Sequence, residues 1–304
     1  MSIYNNQMDL KNKLKELRPN ASAATIRTYN SLLKNMFYKS HSKEEPIDIA
    51  WFKNSTEVLE SLKDKTPQSR KTNLAAVIVL LDGKDSEKYA EMMNSDADHT
   101  AAEYKKQQKT EKQKENWMDY AEVKTVWDKQ FIRANKLLGS KDDLTAPEVS
   151  ELVKFMALTL ASGIFFPPRR SEWVSMKVKD FDPAKDNYID TKKQEFVFNS
   201  YKTHKTLGQE RVPYPKQFKL MLNRYLKKVG DREYLIFNTR GGQLSNAALT
   251  QILNATFGKK IGTSMLRHIF LSDKFKDIPK LTDLQATADS LGHSVGQMLE
   301  YIKH

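Results

Sequence analysis

Residues 188–213 read YIDTKKQEFVFNSYKTHKTLGQERVP, and they break the pattern of the chain around them. Tyr188-Ile189, Glu195-Phe-Val-Phe198 and Glu210-Arg-Val-Pro213 are short runs rich in aromatic and β-branched residues, separated by polar turns, which is the signature of strands. On either side the apolar residues recur at helical spacing instead. Downstream, helices are expected at 216–229, 245–257, 264–275, 282–291 and from Ser294 to the end. Upstream, Asp119 can cap a helix from Tyr120 to Leu138. Thr145-Ala-Pro-Glu148 is a capping box that opens another helix through Leu160. The expected fold of this part is mainly α, a mixed α/β domain with a small antiparallel sheet.

The first third of the chain shows helical periodicity alone. A short amphipathic stretch from about Asn6 to Leu17 stops at Pro19. Ile26, Tyr29, Leu32 or Leu33, and Met36 mark a second helix through Phe37. Trp51, Val58 and Leu62 suggest shorter turns. Thr66-Pro67 opens a helix with proline at its first position, carrying Leu74, Val77, Ile78 and Leu81 and ending at Gly83. A long polar helix is expected from Ser86 to about Gln108. From Tyr104 to Asn116 the apolar period vanishes and charges alternate, as in a solvated helix tail passing into a linker. The expected domains are 1–104, helical, and 117–304, with 105–116 joining them.

Composition narrows the function. The 304 residues include no cysteine, so disulfides, thiolate nucleophiles and thiolate metal sites are excluded. No apolar run reaches the roughly 20 residues of a membrane helix, and the start, MSIYNNQMDLKNK, lacks the apolar core of a secretory signal. An intracellular protein with no membrane partner is expected. The formal net charge is +12, divided as +3 over residues 1–115 (20 basic, 17 acidic) and +9 over 116–304 (30 basic, 21 acidic). Such an excess favours a polyanion, usually nucleic acid. It also fits a merely basic, soluble surface.

Four sites in the second part carry chemistry. In Phe166-Pro-Pro-Arg169-Arg170-Ser171-Glu172-Trp173, two prolines stiffen the approach to an arginine at a helix start. Its planar fork matches phosphate oxygens, and Glu172, three residues on, can fix the guanidinium. Tyr201-Lys202-Thr203-His204-Lys205 sits at a hairpin tip able to reach a DNA groove, and a lysine there can protonate a leaving oxygen. In Thr263-Ser264-Met265-Leu266-Arg267-His268, Thr263 or Ser264 is a candidate N-cap, placing Arg267 in a first turn, where anions are favoured. In Leu291-Gly292-His293-Ser294 and the following Val295-Gly-Gln-Met-Leu-Glu-Tyr301, a helix ends and a last one begins, with Tyr301 two turns into it. A tyrosine hydroxyl titrates near ~10 and is a poor nucleophile unless arginines and a bound phosphate orient it. Taken singly, these are equally a surface ion pair, a charged turn, a capped helix and a core tyrosine.

In this order the motifs resemble the catalytic domain of the tyrosine recombinase (phage-type integrase) family, over roughly residues 117–304. The helical first part is similar in layout to that family's core-binding domain. The resemblance implies site-specific DNA recombination or integration by strand cleavage and rejoining. Arg169 and Arg267 would clamp the scissile phosphate, with Glu172 supporting the first. Lys202 would protonate the leaving 5′ oxygen, His293 would hydrogen-bond the phosphate, and Tyr301 would form a 3′-phosphotyrosine. That link keeps the bond energy, so neither ATP, metal nor other cofactor is implied.

The partners implied are double-stranded DNA sites and further copies of the chain: a homotetramer on two sites, a monomer or dimer without DNA. Lysine-rich integrases without cysteine resemble those of mobile elements and DNA viruses. The corresponding location is the nucleus or a viral replication compartment in a eukaryote, and otherwise the cytoplasm. In the first domain, Arg27, Lys34, Arg70 and Lys71 are the candidate DNA contacts, mostly to phosphates.

The chain departs from the family pattern at several points. Ser264 stands where the family usually carries a His or Lys assigned as general base, so Ser264 positions the phosphate and water, or another group takes the proton. His268 fits a packing or supporting role. Arg170 and Lys205 are the rivals of Arg169 and Lys202. Only three residues follow Tyr301, too few for the docking segment often found there, so the natural chain continues or assembly uses another surface. A type IB topoisomerase shares this chemistry but normally has Lys at the Ser264 position. A DNA-binding protein with a decayed centre, and a basic RNA-binding protein, are the non-enzymatic alternatives. The last lacks an aromatic stacking motif.

Overall fold

A computed structural model describes residues 2–290, 294–296 and 298. It forms two compact units, one of residues up to Gln108 with those from Pro279 onward, the other spanning Lys109–Ile278. The mainly helical class with a small sheet holds. No described helix is long and apolar enough to cross a membrane.

The first unit contains α1 (Ser2–Leu17), α2 (Ala23–Phe37), α3 (Ser55–Ser61), α4 (Pro67–Leu80) and α5 (Glu87–Lys105). Ser22 caps α2 by accepting from the Thr25 amide at 3.1 Å. Thr66 caps α4, with Pro67 at its first position. Leu33, Phe37, Phe52, Leu62, Leu74, Val77 and Tyr89 form the core. The Tyr89 hydroxyl donates to the Phe52 carbonyl at 2.7 Å, and burial pushes its pKa up to about 12. Arg70 ties α4 to α5: its Nε and one terminal nitrogen donate to the two oxygens of buried Asp96, at 2.8 and 2.5 Å.

The second unit opens with α6 (Glu111–Asn116), inside the segment expected to be a plain linker. Thr110 and Gln113 form its capping box. Buried Asn116 holds it down by accepting from the Lys260 amide at 2.8 Å. That anchor lies far along the chain, so local periodicity could not show it. The cap expected at Asp119, which proves to be a capping box with Glu122, and the capping box expected at Thr145 open α7 (Tyr120–Gly139) and α8 (Ala146–Ser162). Nearly every residue in the second half of α8 is buried, because α8 is the central helix, packed by α7 and by three later helices.

The chain leaves α8 through Gly163, at φ +85°, where an added Cβ would lie 2.6 Å from Phe270 Cδ2. Only glycine fits such a left-handed, crowded turn. A short 3-10 turn, Ser171–Ser175, leads into the sheet. Strands β1 (Met176–Lys177), β2 (Asn187–Asp190), β3 (Glu195–Phe198) and β4 (Glu210–Pro213) lie in the order β1-β2-β3-β4, with the four-residue helix α9 (His204–Leu207) between β3 and β4. The three expected strands pair antiparallel, Tyr188 opposite Val197 and Phe198 opposite Glu210. The sheet is nevertheless mixed, since β1 adds a parallel edge. Two residues are too few to show a period. Phe196 and Phe198 face the helical core, while Tyr188 is covered by Phe181, their rings stacked at 4.3 Å.

Helices α10 (Lys216–Val229), α11 (Asn246–Phe257, capped by Ser245) and α12 (Thr263–Lys274) complete this unit. The cap of α12 is Gly262, with no side-chain hydrogen bond, rather than Thr263 or Ser264. Arg267 therefore sits in the second turn and not the first. Finally α13 (Leu281–Ser290) belongs with the first unit, where the Leu281 amide donates to Gln107 Oε1 at 2.8 Å.

Candidate functional site

The second unit carries an open cavity of about 540 Å³ whose walls include Arg169, Arg170, Glu172, Lys202, Glu210 and Arg267. These side chains come from the 3-10 turn and the approach to it, from the β3–β4 connection and the start of β4, and from α12. Four cations against two carboxylates leave the cavity with a net charge of +2, suited to an anion.

Arg169 is the most fixed of them. Its guanidinium lies 4.0 Å from the centre of the Phe198 ring and 5.5 Å from that of Tyr201, a cation–π seat. Phe198 is itself held by fully buried Trp173, their rings 5.4 Å apart. The two terminal nitrogens of Arg169 donate to the two oxygens of Glu210, at 2.8 and 3.0 Å. The expected partner was Glu172, but the structure gives that place to Glu210. Glu172 lies within the 3-10 turn, and its buried Oε2 has no hydrogen-bond partner among the described residues. The Nε of Arg169 is likewise buried without a partner.

Lys202 is exposed on a connection, residues 199–209, that is longer and better tied than a hairpin tip. The Tyr201 hydroxyl donates to the Gly208 carbonyl at 2.8 Å, closing the loop across its neck. Its root is pinned by Asn187, which is 1% exposed. Asn187 Nδ2 donates to Ser175 Oγ at 2.9 Å and to the Ser200 carbonyl at 2.8 Å. Its Oδ1 accepts from the amides of Asn199 and Ser200 at 2.9 and 2.8 Å. Lys205, the rival, does not line the cavity, whereas Arg170, the rival of Arg169, does.

Arg267 reaches the cavity from α12, whose opposite side is anchored by buried Leu266 and Ile269. Phe270 meets Tyr120 edge to face at 5.5 Å, and desolvation pushes the Tyr120 phenol up to about 12. Ser264 and His268 are exposed and outside the cavity wall. His293 and Tyr301 lie outside the described residues.

Of the candidate DNA contacts in the first unit, Arg27 is exposed, Lys34 and Lys71 are half-buried, and Arg70 is engaged with Asp96. Desolvation lowers the pKa of Lys34.

Sequence reasoning missed Glu210 and Asn187. The strand register was the signal for Glu210, since pairing 195–198 with 210–213 antiparallel sets residue 210 beside residue 198. Asn187 offered no signal, because its partners are fixed only when the sheet forms.

The second unit is thus a mainly helical α/β unit with a cationic pocket. No family model and no curated protein matches the chain. Among solved structures it is similar to one described as the crystal structure of XerA recombinase, at 16% identity and a TM-score of 0.36, over 97% of this chain and 94% of that one. A likeness this distant says nothing of activity.

Proposed function

We propose that the chain is a DNA strand-breaking and rejoining enzyme of the tyrosine recombinase type, acting on double-stranded DNA sites. One observation carries this reading. Arg169, Lys202 and Arg267, set apart in sequence, share the wall of a single cationic cavity. Two arginines suit the nonbridging oxygens of a phosphate, stabilising the charge that grows on them during displacement. Lys202 suits the proton that the leaving 5′ oxygen needs. Tyr301 is the proposed nucleophile: its oxygen bonds to phosphorus as the bond from phosphorus to the 5′ oxygen breaks, and reversal by a second 5′ hydroxyl rejoins the strand. His293 is the proposed further phosphate donor, and Ser264 and His268 are proposed as supporting groups. Arg27, Lys34 and Lys71 are proposed backbone contacts, with assembly as a tetramer on two sites.

The test is covalent trapping on DNA carrying a nick next to the cleavage site, which lets the short 5′ fragment diffuse away. The parent should form an adduct that survives denaturing electrophoresis, and Tyr301→Phe should form none. Equal adduct from both would refute the assignment of Tyr301. A binding protein without cleavage is the second reading, favoured by Ser264 at the position of the family's base. Retention of DNA with no adduct from the parent would establish it.

A further inference from the structure

We infer that Glu210 is an internal occupant of the phosphate position on Arg169, exchanged for the DNA phosphate when substrate arrives. This rests on the reading of the cavity as a phosphate site and adds its regulation. The terminal nitrogens of an arginine are its two-pronged face for an oxyanion, and the Glu210 oxygens fill both prongs at 2.8 and 3.0 Å. The other route, through Nε, is closed by burial, and that atom has no partner among the described residues. A phosphate can therefore gain a bidentate hold on Arg169 only where the carboxylate now sits.

The two partners are unequally held. The Arg169 side chain is 18% exposed against 41% for Glu210, and the guanidinium is seated on Phe198 and Tyr201. Glu210 is at the first position of an edge strand with open space beside it, so its side chain can rotate to solvent while the arginine stays. An anion then arrives at a donor already aimed, and the empty pocket never exposes an unpaired buried cation.

The experiment is calorimetric titration of the full chain with inorganic phosphate, for the parent, Glu210→Gln, Glu172→Gln and Glu210→Gln combined with Arg169→Ala. Melting curves confirm that each variant is folded. Glu210→Gln should bind up to about fivefold tighter than the parent, the worth of one partly exposed charged pair. Glu172→Gln removes the same charge from the same cavity without freeing the prongs, and should gain clearly less. The double variant should lose the gain. Unchanged or weaker binding by Glu210→Gln would overturn the exchange, as would an equal gain in Glu172→Gln or a gain that survives loss of Arg169. The covalent assay reads separately. A phosphate gain without any DNA adduct refutes the recombinase reading and leaves the exchange standing, while an adduct without the gain does the reverse.

Discussion

Removing the side chain of Asn187 should loosen the second unit and its lysine loop together. Asn187→Ala deletes four hydrogen bonds, two donated and two accepted. The site is 1% exposed, so water does not readily replace them. At about 1 kcal/mol net for each bond, the loss is about 3–4 kcal/mol. For a unit of this size that lowers the melting temperature on the order of 10 °C. Tryptophan fluorescence follows the transition, because Trp117, Trp127 and Trp173 all belong to this unit. The covalent adduct should fall with it at temperatures where the variant is still folded, since Lys202 is displaced with the loop root. Asn187→Asp sharpens the test. It keeps the two accepted bonds but turns an oxygen toward the Ser200 carbonyl, and burial should raise its pKa above the ordinary ~3.9 of the unfolded chain. Relative to the parent it should be least harmful below that pH and worsen as pH rises. A melting shift under about 3 °C for Asn187→Ala would refute the reasoning, because the four bonds would then not be what holds the loop.

Other consequences are equally specific. Gly163→Ala should cost about 2–4 kcal/mol in urea unfolding, from a strained positive φ and a clash with Phe270; a loss below about 1 kcal/mol would contradict the geometry. Arg70→Ala leaves Asp96, 4% exposed, as an unpaired buried carboxylate and should destabilise the first unit by about 3 kcal/mol. An unchanged denaturation midpoint would count against a structural Arg70. Tyr89 and Tyr120, each pushed up to about 12 by burial, should still be protonated at pH 11 in a carbon-13 NMR titration. Unfolded phenols ionise near ~10, so this stabilisation is complete below pH 10 and is lost as pH rises to about 12; titration of both near 10 would disprove it.

Much of the architecture was legible because its signals are local. The caps at Asp119 and Thr145, proline at the start of α4, and the turn residues around β3 and β4 act within a few positions of where they stand. What escaped depends on distant pairing. Helix α6 hides in a lysine-rich run because its anchor is the Lys260 amide. The start of α12 misled because Gly262 caps it without a side chain. The site divides in the same way. Arg169, Lys202 and Arg267 could be chosen by residue type and order, but the partner of Arg169 could not. The rule that favours Glu172 assumes a regular helix, and Arg169 precedes a 3-10 turn.

The pairing of Phe198 with Glu210 makes the bracket around Arg169 a property of strand register. The ring beneath the guanidinium and the carboxylate at its tip are opposite neighbours on one side of the sheet. Between Lys202 and Gly208, which leaves Tyr201 in its place under the guanidinium, the loop can therefore gain or lose members without disturbing how the arginine is held. A slip of one residue between β3 and β4 would instead carry Glu210 to the other side of the sheet. The hairpin thus separates a part free to vary with the DNA it meets from a part that cannot vary without losing the arginine.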